Sequence, residues 1–178
     1  MPEISFVWKE ECESLCHAPL ELIECTALDK RHPALLFYDY WKKIGAGHMP
    51  DRSDFAPMDV PTVLKWFMLF RRETVDDEDK YFLYLQGSSA ADLTLGLLQG
   101  KYLDEFTNES CYVTRRNLMR QVIEEEQPGF ARVIIGKIKS ECEYDVNVTV
   151  GMFPLTDGDN HLVFVVPVPE SLLIRNTF

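Results

Sequence analysis

The chain has 178 residues, 46% of them hydrophobic and 12% aromatic, which suits one packed domain with extensions and is short for two. That apolar content excludes wholesale disorder. A formal net charge of -11 repels phosphate backbones and anionic lipid, so nucleic acid is not an expected partner.

The opening residues Met1 to Phe6 lack the basic segment and apolar core of a secretory leader. No apolar run reaches the roughly 20 residues of a membrane span. Five cysteines, an odd number, fit reduced thiols in a cytoplasm better than a disulfide framework. A cytoplasmic location is expected.

Residues 1–30 show no clear period and are read as an N-terminal extension that packs on the body or on a partner. Pro33 suits a first helical position, and Leu36, Phe37, Tyr40, Trp41 and Ile44 follow at spacings of three and four. They predict a helix from Pro33 to Ile44, stopped by Gly45 and Gly47. A proline-punctuated loop runs from His48 to Pro61, which can open a short helix. Phe67 to Glu73 and Lys80 to Gln86 read as a hairpin across the acidic turn Asp76-Asp77-Glu78-Asp79. Gly87-Ser88-Ser89 can start a short helix through Leu95. The most periodic helix spans Asn108 to Glu126, with Asn108 as its cap and Pro128-Gly129 as its stop. Three strands close the chain: Ala131 to Lys139, Glu143 to Phe153 and His161 to Val168. Val146, Val148, Val150 and Met152 alternate with Asp145, Asn147 and Thr149.

A hairpin, a helical crossing and a three-strand meander imply an α+β fold with a five-stranded antiparallel sheet. That order resembles a PAS domain. Tyr40-Trp41, followed by the run Pro50-Asp51-Arg52-Ser53-Asp54-Phe55-Ala56-Pro57-Met58-Asp59-Val60-Pro61, is similar to a family of small proteobacterial PAS-like proteins. Gly87 and Gly100-Lys101-Tyr102-Leu103-Asp104-Glu105 fit the same pattern. The resemblance covers residues 33 to 170. The expected fold is a PAS-like five-stranded sheet with helices on one side and an N-terminal helical extension, and the resemblance implies a ligand cavity between a helix and the sheet. The divisions are an extension (1–30), a helix and proline-rich loop (31–60), the PAS-like core (61–170) and a tail (171–178). No shared catalytic set comes with the family.

On the long helix Cys111, Tyr112, Leu118, Met119, Val122 and Ile123 share a face, with Arg115 in its middle. Arg115, Tyr112, Met119, Tyr84 and Val148 are the candidate cavity lining. Arg115 is either a fork for a ligand carboxylate or phosphate, or a partner of Asp104, Glu105 or Asp145, or part of a frayed first turn. The stripe Tyr40, Trp41 and Ile44 is the candidate interface for self-association or docking; capping its own sheet is the other role open to it. No flavin-type Asn-Cys-Arg segment is present, and of the candidate haem ligands His17, His32 and His48 precede the core while His161 sits at a turn. Cys12, Cys16, His17 and Cys25 form one loose cluster without the second tight pair of a zinc site. Nucleophile-elbow, phosphate-loop, zincin and dinucleotide motifs are missing, so no enzyme is expected. The cofactor is left unknown. The expected function is a free-standing sensory module, forming a homodimer, that binds a small ligand or signals through its dimer interface to a separate protein partner. The alternative is a ligand-free interaction or localisation adaptor.

Overall fold

The computed structural model describes residues 4–5, 20–94, 96–107, 109–139 and 142–170. The Cys12-Cys16-His17 cluster, the Asn108 cap and the tail 171–178 lie outside them.

In chain order the elements are β1 (Ile4–Ser5), β2 (Glu21–Leu22), α1 (Pro33–Gly45), α2 (Pro61–Leu64), β3 (Met68–Val75) and β4 (Glu78–Gln86). They continue with α3 (Ser88–Leu93), α4 (Glu109–Glu124), β5 (Gly129–Lys139), β6 (Cys142–Asp157) and β7 (Asn160–Pro169). At the head of α1 the imidazole of His32 accepts a hydrogen bond from the Ala34 N–H, next to Pro33. The helix ends where Ala46 turns left-handed, with Lys42 and Lys43 in the last turn against the carboxyl end of the helix dipole. The acidic turn between β3 and β4 needs only two residues: Asp76 and Asp77 take φ of 51° and 62°, and Val75 pairs with Glu78. Two positive φ angles in a row match the right-handed twist of the flanking strands.

The sheet is antiparallel and open, in the order β4-β3-β7-β6-β5, with β1 and β2 both pairing with the outer edge of β5. β7 thus closes the meander against β3, joining Met68 to Val165 and Phe70 to Val163. The described part of the N-terminal extension is not α-helical. Residues 20–30 supply β2, pinned to Arg132 and Ala131, and a 3-10 turn at Cys25–Ala27.

Helices cover both faces of the sheet, which corrects the expectation of helices on one side. On one face α4 sets Leu118, Met119, Val122 and Ile123 against Val148, Val150, Met152, Val163 and Val165. On the other, α1 sets Ala34, Phe37 and Trp41 against Phe153, Leu155, Leu162, Phe164 and Val166. Phe37 stacks on Phe164 at 4.1 Å between ring centroids. Alternate residues of β6 and β7 therefore feed two cores, and β7 is buried from Leu162 to Pro169. A strand buried on both sides reads as a continuous apolar run rather than an alternation.

Candidate functional site: an apolar cavity under α4

Bulky side chains pack between α4 and the strands that it crosses. A cavity of about 70 Å³ lies there, bounded by Met68, Phe70, Arg115, Met119, Val148 and Met152 among others. Leu93 and Thr94 border it, from α3 and the turn after it. The Thr94 hydroxyl is already committed, taking the Gln86 side-chain amide at 3.0 Å and lying 2.8 Å from the Gly96 carbonyl. The lining is therefore hydrocarbon, thioether and aromatic ring, with Arg115 as its charged member. Three methionines make it adaptable, since an unbranched thioether chain can repack around a guest.

Of the lining expected from sequence, Arg115, Met119 and Val148 meet around this cavity. Tyr112 is half-buried against the same core, and its ring carries the Arg116 guanidinium at 5.3 Å. Tyr84 lies elsewhere. It is 37% exposed, between Arg52 at 5.4 Å and Arg71 at 5.6 Å. The alternation of β4 turns Tyr81 and Leu83 towards α4 and so sends Tyr84 the other way. Met68, Phe70 and Met152 were not singled out from sequence. Met152 shares the alternation of Val148 and could have been. Two carboxylates considered for Arg115 have other work: Asp104 binds the Lys80 ammonium at 3.0 Å, and Glu105 accepts the Tyr102 N–H at 2.6 Å. The side chain of Asp145 lies outside the described residues.

The aromatic stripe of α1 faces inwards. Trp41 is buried and donates its indole N–H to the Pro154 carbonyl at 2.8 Å. Buried Tyr40 accepts the Ala56 N–H at 2.8 Å through its hydroxyl. Ile44 is half-buried on the same side. These residues cap the chain's own sheet and are not exposed for docking.

The distinctive loop is a clasp. Asp51 caps the turn Arg52–Asp54 by accepting the Ser53 N–H at 2.9 Å, and its other oxygen takes the Thr156 hydroxyl at 2.9 Å and the Gly158 N–H at 3.3 Å. The Ser53 and Thr156 hydrogen bonds hold its carboxyl down to about 2.

Among the described residues no three metal-binding side chains come together, and no helix is long and apolar enough to cross a membrane. Compared with family models, curated proteins and solved structures, the chain matches none.

Proposed function

We propose that this chain is a PAS-like signalling module, non-enzymatic and bacterial, which reads a small apolar ligand in the cavity under α4. The observation that carries the reading is the position of that cavity. It lies between the crossing helix and the sheet, where the resemblance to PAS domains places a ligand. The sheet supports it too, since its antiparallel strands come as a hairpin, a helical crossing and a meander, the order that resembles a PAS domain. At about 70 Å³ the cavity takes a guest of a few heavy atoms. Larger guests need the methionines to move, because drug-sized ligands occupy roughly 300 Å³ or more. A guest that wedges α4 off the sheet would alter the surface offered to a second copy or to a separate cytoplasmic protein, which supplies the output.

The same small volume favours a second reading, a ligand-free adaptor with a nearly filled core. Native mass spectrometry with an absorption spectrum, on protein isolated from its own cells, separates the two. The sensor reading predicts a bound small molecule that is lost from Met119→Trp, where the indole fills the cavity. A bare chain accompanied only by a protein partner would support the adaptor.

A further inference from the structure

The face of the sheet opposite α4 carries a larger recess. Past the end of α1, where the 3-10 turns of residues 52–59 bridge onto the strands, a groove of about 380 Å³ opens. That is within the roughly 300–1,000 Å³ range of small-molecule sites. Its floor is aromatic. Half-buried Phe67 and Phe55 offer the rings that a guest can reach, while Phe164 beneath them is buried, stacked on Phe67 at 5.2 Å and on Phe37 at 4.1 Å. Leu64 and Leu85 stand in its walls, and Arg52 is the one charged side chain among the described residues lining it.

Arg52 is positioned but weakly committed. Its guanidinium stands 5.4 Å from the centroid of the Tyr84 ring, and its nearest carboxylate, on Asp157, is 3.7 Å away with both side chains substantially exposed. An exposed pair at that distance contributes little and yields to a better-placed anion. A planar guanidinium matches a carboxylate with two parallel hydrogen bonds. One guanidinium beside Asp157 offers a single positive charge at most, which fits a monoanion and disfavours a phosphate dianion. The rest of the molecule, at net charge -11, repels anions, so this is a local exception.

We infer that this groove binds a free small-molecule carboxylate with an apolar body of medium length, the carboxylate on Arg52 and the body along the half-buried Phe55, Leu64, Phe67 and Leu85. This site is separate from the cavity under α4 and does not depend on the reading given to it.

The test is a titration of the full chain with octanoate, 1-octanol and octylammonium below their aggregation concentrations, followed by methyl NMR of leucine and methionine. Octanoate is expected to bind saturably and to shift the Leu64 and Leu85 methyls without shifting Met119. Octanol and octylammonium should bind at least tenfold more weakly, and Arg52→Gln should weaken octanoate by a similar factor. Arg52 is at the surface, so this variant keeps its fold, and Leu64→Trp serves as an independent block of the groove. Equal affinity for octanoate and octanol, or unchanged affinity in Arg52→Gln, would overturn the proposal. So would shifts confined to Met119, or no saturable binding.

Discussion

His32 is fully buried at the head of α1, and its Nδ1 accepts the Ala34 N–H, so the neutral ring carries its proton on Nε2. Nε2 has no hydrogen-bond partner among the described residues. Burial pushes the imidazole down to about 4 from 6.5, against the opposing pull of Asp29 and Glu170. Between those values the unfolded chain takes up the proton first. The contribution of His32 is therefore complete above pH 6.5 and is lost as pH falls towards 4, an effect of about 3 kcal/mol. His32→Asn keeps a capping oxygen and removes the titration. In urea melts from pH 7 to pH 4 the wild type should lose about 3 kcal/mol more than this variant. Parallel losses would contradict the assignment. Tyr81 is a second buried group, with a hydroxyl that has no partner among the described residues and is pushed up to about 12 by burial. Tyr81→Phe removes the desolvation penalty at constant shape, so the melt should show unchanged stability or a gain of about 1 kcal/mol. A loss of that size would mean that the hydroxyl is satisfied. Gly87 is limited by space rather than by φ. A Cβ there would stand 2.3 Å from the Leu64 carbonyl oxygen and 2.6 Å from that of Lys65. Both are backbone and neither can swing aside, so Gly87→Ala should cost about 3 kcal/mol in a urea melt. An unchanged midpoint would show that the strand-to-helix junction is loose.

At the scale of elements, the loop and α1 are joined to the β6–β7 hairpin by side chains whose partners the sequence does not name. Tyr40 and Trp41 read as an apolar stripe, which says that a helix face is buried but not what buries it. Their polar ends settle the matter, since each meets a backbone group on the chain itself. Asp51 is similar: as a residue in a proline-rich loop it could be placed, but its contacts with Thr156 and Gly158, more than a hundred positions away, could not be read. Asp51→Asn should loosen this clasp without unfolding the sheet. Hydrogen exchange at Thr156, whose N–H donates to the Pro50 carbonyl, should quicken while that at Phe164 stays protected. Equal protection at Thr156 in both proteins would show that the clasp is held by the backbone alone. Element positions were largely legible, because prolines, glycines and period changes mark them. The β3–β4 turn contracted to Asp76-Asp77 because the strands extend to the shortest loop their twist allows.

The whole molecule is a sheet shared by two cores. The signal for the second core was present in the unbroken run Leu162 to Pro169 and in Phe153 and Leu155, which lie across from the residues that face α4. Reading only the Val146-to-Met152 alternation hid it. The cavity itself was not legible. A void depends on how Met68, Met119 and Met152, from three separate elements, fail to fill one space, and no local pattern records that. The account stands on that space accepting a guest. The most direct measurement is methionine-methyl NMR of the chain under increasing xenon pressure, with Met58, which is 90% exposed, as the internal reference. Saturable shifts of Met68, Met119 and Met152, with Met58 unmoved and with Met119→Trp silent, are predicted. Methyls of all four residues that respond alike, or not at all, would contradict a cavity able to hold a ligand.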